Sequence, residues 1–355
     1  MTTSSPSRAR WQPLLIFAAT IALLWLFFRN VDLAETWRAV TRAHAWLILA
    51  AIGMTFVTYT LRARRWQALL KPIGHARYSV VLRMTVIGFM GNFLLPARAG
   101  EVLRAYLLAR REGLSAPSTF ATVIVERLLD TVTVLFLFAV ALPLLGVDVG
   151  RDVEIAGLVA GVGSVAALVI LALVAGHPER LGRWAARLER WLPARLAGLV
   201  GNAVQTFAEG FAVMRRPSHL AAAMLWSIPV WLSIAVGILL TSHAFDLTLS
   251  FVGSFLVVGY LAVGVSVPTP GGAGGFHYFY LIAMTRFFGA DQDVAAAAAI
   301  ILHAVSFVPV TIVGLILMWQ DGLTLGRLKS LRAEAQAAEQ SPEPGNRPRI
   351  NGTGL

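Results

Sequence analysis

The chain has 355 residues, of which 57% are hydrophobic and only 14% charged, against about 25% charged in soluble domains. So much apolar surface excludes a water-soluble fold, and the lack of any cysteine excludes disulfides, thiolate metal sites and cysteine nucleophiles. The formal net charge of +11 does not point to nucleic acid, because the basic residues flank apolar runs, where they act as topology signals and headgroup contacts.

Arg8 and Arg10 precede the first apolar run, residues 11–28. That run is too long for a signal peptide and no small-residue cleavage site follows it, so it reads as the first span. Further full spans are predicted over 44–61, 118–145, 154–176, 218–242 and 293–319. Between them, segments 79–112 and 250–288 are apolar but broken in the middle by Pro and Gly. The expected fold is therefore all-α and polytopic, with about six full spans plus two broken, re-entrant helical hairpins. The alternative is eight or more full spans, with both hairpins turning outside the membrane.

The membrane domain is expected to cover residues 1–325, with a cytoplasmic amphipathic segment at 177–217 carrying Trp184, Leu188, Trp191 and Leu192, and a disordered cytoplasmic tail at 326–355. Arg62, Arg64, Arg65, Lys71 and Arg77 follow the second span without an acid, and 177–217 carries seven Arg against Glu179, Glu189 and Glu209. Cytoplasmic loops are enriched in Lys and Arg, so both termini are expected in the cytoplasm and the chain in the plasma (inner) membrane. Trp46, Tyr59, Trp66 and Trp319 stand near span ends and read as interfacial anchors.

Shifting the sequence by 174 positions lays Pro96-Ala97-Arg98-Ala99-Gly100 on Pro270-Gly271-Gly272-Ala273-Gly274, and Tyr106-Leu107 on Tyr280-Leu281. The same shift superposes the spans that follow. With the arginine rule, the first broken segment enters from the cytoplasm and the second from the outer face, giving an inverted repeat of about 11–145 and about 154–320. Broken helices in corresponding positions point to a central site, because irregular backbone at membrane depth survives only where it is buried or lines a cavity.

Asn92, Arg98, Glu101 and Arg104 surround the first break, and Glu126, Arg127 and Asp130 lie in the next span. An intramembrane charge costs about 2.5–3.5 kcal/mol on insertion scales, so these residues need partners or a task. Glu126 and Asp130, four apart, share a helix face that Arg98 or Arg104 could neutralise. Surplus guanidinium groups facing a cavity would suit a phosphate. At the second break, Pro270, Gly271, Gly272 and Gly274 precede a half-helix whose backbone N–H groups offer an anion site, with His277 next to it. No Lys-Ser or Lys-Thr follows the glycines, so this is not a nucleotide loop. No metal, cofactor or catalytic residue is expected.

Gly91-Asn92-Phe93-Leu94-Leu95-Pro96-Ala97-Arg98-Ala99-Gly100-Glu101-Val102-Leu103-Arg104, with Val125-Glu126-Arg127-Leu128-Leu129-Asp130, resembles the lysylphosphatidylglycerol synthase transmembrane-region family of flippase-like proteins. Pro268-Thr269-Pro270-Gly271-Gly272-Ala273-Gly274-Gly275-Phe276 is similar to that family's second signature, except that His277 stands where an acidic residue often follows the Phe. The resemblance implies a lipid-handling membrane domain, without the aminoacyl-transfer domain that follows it in the best-known members. The expected function is a lipid translocase for an anionic, phosphate-bearing lipid, not an enzyme. The alternatives are a membrane-embedded transferase or accessory subunit of glycolipid, hopanoid or cell-envelope lipid synthesis, and a scaffold that recruits lipid-synthesis enzymes through 177–217.

Overall fold

The computed structural model describes residues 8–95, 98–146, 149–176, 217–267 and 269–322. The segment read as amphipathic, 177–217, lies outside them except for Pro217, as does the tail beyond 325. Among the described residues there are eleven helices and no strand: α1 Arg8–Phe28, α2 Leu33–Arg42, α3 Ala45–Leu70, α4 Tyr78–Leu94, α5 Ala99–Glu112, α6 Ala116–Leu144, α7 Arg151–Gly176, α8 Pro217–Ala244, α9 Phe251–Ser266, α10 Gly275–Phe288 and α11 Gln292–Gln320. A short 3₁₀ turn, Pro270–Gly272, joins α9 to α10. Side-chain caps start several of these helices: Asp32 accepts from the N–H of Ala34 and Glu35, Ser250 from Gly253, and Asp291 from Asp293 and Val294. Gly113 and Gly289, both left-handed, end α5 and α10.

Among the described residues three helices are long and apolar enough to cross a bilayer, at Ala45–Leu70, His219–Ala244 and Gln292–Gln320; α1 with α2 makes a fourth if that pair, bent by 77°, is one span. α3 and α8 run antiparallel. The His44 N–H donates to the Ala244 carbonyl at one end (2.8 Å), Thr58 meets Ser233 midway (2.8 Å), and Arg65 donates to Ser227 further along (3.1 Å). α3 continues nine residues past the end of the span predicted at 61. The residues read as loop arginines, Arg62, Arg64 and Arg65, are therefore helical, and Arg62 and Arg65 are buried.

α2 was not anticipated, because the sequence between the first two spans is neither long nor uniformly apolar. Thr36 faces inward, where its hydroxyl and the Asp32 N–H reach Asp293 at the start of α11, while Leu33 and Trp37 are exposed. A helix bent this sharply from the one before it, with exposed apolar residues, is expected to lie in the plane of the interface. A nitroxide at a Trp37→Cys position is expected to be relaxed more by oxygen than by a water-soluble nickel chelate, and one at Arg38→Cys the reverse. Nickel dominance at position 37 would lift α2 off the bilayer.

The two broken segments form tight hairpins with matching parts. α4, α5 and α6 have 17, 14 and 29 residues, and α9, α10 and α11 have 16, 14 and 29. Their packing matches as well, since α4 lies against α11 as α9 lies against α6, and α5 against α6 as α10 against α11. Glycine permits both crossings. A Cβ on Gly100 would overlap the Gly88 carbonyl oxygen, and one on Gly275 would overlap that of Gly264.

The hairpin tips meet near the middle of α11, a helix about 43 Å long. Phe93 packs on Phe307 and touches Gly271, whose carbonyl accepts from His303 Nε2 at 2.9 Å. At the arginine-rich end of the bundle, Asp321, which caps the end of α11, binds Arg83 of α4 at 3.1 Å and Arg111 of α5 at 2.9 Å, closing that end.

Candidate functional site

The buried charge is concentrated where α3, α5 and α6 converge. Glu126, fully buried, accepts hydrogen bonds from Arg127 at 2.7 Å and Arg104 at 3.1 Å, and pairs by charge alone with Arg65, whose Nη2 stands 3.2 Å away without a hydrogen bond. One helical turn along α6, Asp130 takes Arg65 at 2.6 Å, Arg127 at 3.1 Å and Arg62 at 3.4 Å, with the Trp231 indole N–H at 3.1 Å. Arg127 also reaches Glu101 at 3.7 Å. Four arginines thus face three carboxylates, an excess of one positive charge.

Aromatic faces complete the cluster. Arg104 lies 4.5 Å over the Trp66 ring, and Arg62, Arg104 and Arg127 stand 5.1, 5.5 and 5.8 Å from the Phe89 ring centre. Such contacts suit desolvated cations, which gain more from a ring quadrupole than exposed ones.

A cavity of about 890 Å³ opens beside this cluster. Its polar end is lined by Arg62, Arg98, Glu101, Arg127, Asp130 and Tyr59. From there it runs along α6 past Val134, Leu135 and Phe138 to Val153 and Ala156 of α7, with Val258 and Leu261 of α9 on its wall. The arginines gather at one end, Asp152 stands beside Val153 at the other, and the wall between is mostly hydrocarbon with the hydroxyls of Thr55, Thr58, Ser233 and Ser306 among it.

Of the residues singled out in the sequence, Arg98, Glu101, Arg127 and Asp130 line the cavity, while Glu126 and Arg104 hold the cluster together behind it. Arg104, not Arg98, neutralises the acidic face of α6. Asn92 lies against Gly100, its Oδ1 buried without a hydrogen bond. His277 stacks on His303 with ring centres 4.6 Å apart and does not line the cavity.

Pro270, Gly271, Gly272 and Gly274 also stand outside the cavity wall. The N–H groups of Gly272 and Ala273 bond to the carbonyls of Thr269 and Pro270, and Gly274 packs against Leu23 of α1. Around this break, the backbone groups that reach other segments are carbonyls: Gly271 toward His303 and Val265 toward Arg98. Arg62 and Arg65 are site residues that sequence reasoning missed. Their signal was spacing, since 62, 65, 66 and 69 fall on one face of a helix that also holds buried Trp66 and Leu69. Tyr59 and Trp66, read as interfacial anchors, are instead buried, and the Trp66 indole donates to Thr122 at 2.9 Å. Trp46 and Trp319 are exposed near helix ends. Among the described residues no group of three His, Asp or Glu is arranged to hold a metal ion.

Long apolar helices packed around a paired cluster of buried arginines and carboxylates define a multi-pass helical membrane protein. The chain belongs to the family described as lysylphosphatidylglycerol synthase TM region, which matches residues 13–314. It is similar to a protein of Haloferax volcanii named glycosyltransferase AglD, with 29% identity over 332 residues covering 85% of this chain and 52% of AglD. It therefore spans about half the length of that relative. It also resembles UPF0104 membrane proteins of Methanothermobacter thermautotrophicus, 26% identical over 78% of this chain and 86% of that one, and of Pyrococcus horikoshii, 26% identical over 87% and 96%.

Proposed function

We propose that this chain is a translocase that moves an anionic, phosphate-bearing lipid between the leaflets of the plasma (inner) membrane. One observation carries the reading: a cavity with guanidinium groups at one end and mostly apolar walls. Arg62, Arg98 and Arg127 receive the phosphate, since guanidinium pairs bidentately with it. Glu101 and Asp130 orient the arginines, and the apolar wall carries the chains.

The paired hairpins support an inverted repeat with re-entrant segments. The two helices preceding them, α3 and α8, are antiparallel neighbours, as a two-fold axis in the membrane plane requires, and the two tips meet midway along α11. In such architectures the site lies between the repeats and is exposed alternately to each side. With the arginine-rich end inside, both termini are cytoplasmic.

Arg62→Gln tests the headgroup role with little risk to the fold. Arg62 makes one 3.4 Å bond to Asp130, which keeps Arg65, Arg127 and Trp231. Hydrogen bonds to charged groups contribute about 1.5–3 kcal/mol, so translocation of labelled phosphatidylglycerol in proteoliposomes is expected to slow about tenfold or more. A wild-type rate in the variant would remove Arg62 from the site.

The relative named a glycosyltransferase favours a second reading, the membrane part or an accessory subunit of glycolipid or cell-envelope lipid synthesis. The ion pairing of Glu101 and Asp130 with Arg127 weighs against either as a general base. Purified protein that transferred a radiolabelled sugar from a nucleotide donor to a lipid phosphate would establish this reading over the first.

A further inference from the structure

Arg98 differs from the other arginines of the cavity. Arg62 and Arg127 each hold a carboxylate, whereas among the described residues Arg98 has no ion pair. Its guanidinium NH2 donates instead to the carbonyl of Val265, 2.7 Å away on the opposite hairpin. Val265 is one residue from the end of α9, so its carbonyl is among the last four, which have no partner within the helix and carry the negative end of its dipole. Arg98 thus caps α9 from across the junction of the two tips.

The backbone at this point is itself unusual. Arg98 sits at φ 52 and ψ 35, left-handed, and Asp246 is the only other non-glycine residue with positive φ among the described residues. A bulky side chain in this region is strained, and strain persists where surrounding structure enforces it. Here the conformation starts α5 and aims the guanidinium at both α9 and the cavity, which Arg98 and Val265 line together.

We propose that Arg98 couples headgroup binding to movement of the second hairpin: its guanidinium exchanges the Val265 carbonyl for a phosphate oxygen of the bound lipid and so uncaps α9. The inference rests on the headgroup reading above and adds its mechanical consequence. A phosphate carries a full opposite charge and accepts two parallel N–H bonds from a guanidinium, whereas the neutral Val265 carbonyl takes one, so the exchange favours the anion. Once uncapped, the α9 end is held near the tip by the bond from His303 to Gly271. Neither His303 nor Gly271 lines the cavity, so that bond does not compete for the headgroup. The hairpin pivots at Gly271 and loosens at Val265, and binding shifts the population toward the loosened arrangement.

The test uses the full chain in nanodiscs of phosphatidylcholine, with or without phosphatidylglycerol. Two readouts are taken, hydrogen–deuterium exchange over 262–274 and lipid retention by native mass spectrometry. Wild type is expected to retain phosphatidylglycerol and to exchange about threefold faster over this segment when it is present. Arg98→Gly, which accepts φ 52 without strain, is expected to exchange at the faster rate in both lipids and to show no response. Arg98→Asn, which also tolerates the left-handed region, gives the same reading should the glycine variant fail to fold.

Retention of phosphatidylglycerol with unchanged exchange, or wild-type protection in Arg98→Gly, overturns the coupling and leaves the headgroup site standing. Equal retention of the two lipids by wild type overturns the headgroup reading and the exchange step with it, even if Arg98→Gly still loosens α9. Inorganic phosphate that reproduces the faster exchange in phosphatidylcholine alone assigns the site to free phosphate and overturns the lipid as its ligand.

Discussion

Glu126→Gln is expected to destabilise the protein by about 3–5 kcal/mol, the cost of leaving one member of a buried ion pair without its partner. The loss is unevenly distributed. Arg65 keeps Asp130 at 2.6 Å, and Arg127, partly exposed, keeps Asp130 at 3.1 Å and Glu101 at 3.7 Å. Arg104 keeps no carboxylate; it is 1% exposed, and its remaining neighbours are the faces of Trp66 and Phe89. Cation–π contacts contribute about 2 kcal/mol when desolvated, which does not offset a buried cation without a counter-ion. The prediction is a sharp fall in thermal stability and yield for Glu126→Gln in detergent, and recovery of much of it in Glu126→Gln with Arg104→Met, where the stranded charge is gone. A double variant no more stable than the single one would show that Arg104 is not the group Glu126 neutralises.

This arrangement also explains why only part of the site was legible in the sequence. Charges inside apolar runs stand out, so Arg98, Glu101, Arg104, Glu126, Arg127 and Asp130 were singled out by their cost. Arg62 and Arg65 were not, because arginines just past an apolar run match the pattern of a cytoplasmic loop; only the position of the helix end separates the two cases, and α3 ends at Leu70. Hydropathy reports how apolar a window is, and a face bearing Arg62, Arg65 and Trp66 averages out within it. The Pro/Gly breaks were visible for the opposite reason, since they interrupt long apolar stretches. One part of their chemistry was not: beside the backbone N–H groups that the sequence suggested for an anion, Gly271 and Val265 present carbonyls to His303 and Arg98. Which backbone group a glycine turn exposes depends on its dihedral angles and on the segment packed against it, and neither is encoded within the turn itself.

Gly100→Ala is expected to be nearly as damaging as the loss of Glu126, through packing alone. The added methyl would overlap the Gly88 carbonyl oxygen and stand 2.5 Å from the Asn92 backbone nitrogen, so it meets backbone that cannot turn aside. Relief requires α4 and α5 to separate. That separation would carry Arg104, on α5, away from Glu126, on α6, so strain at the crossing reaches the charge cluster. Overpacking of this kind costs about 1–3 kcal/mol and occasionally more; the upper end is expected here, with translocation lost. Gly275→Ala should behave alike, because its methyl would overlap the Gly264 carbonyl oxygen in the other hairpin. Gly275 rather than Gly274, the residue matched by sequence shift, is thus the packing counterpart of Gly100. Gly53→Ala, with nothing within 4 Å of the new methyl, should be neutral or slightly stabilising. Thermal unfolding and lipid translocation for these variants decide whether the hairpins are equivalent. Sensitivity at 100 without sensitivity at 275 would mean that one hairpin is a rigid mount for charge and the other is free to move.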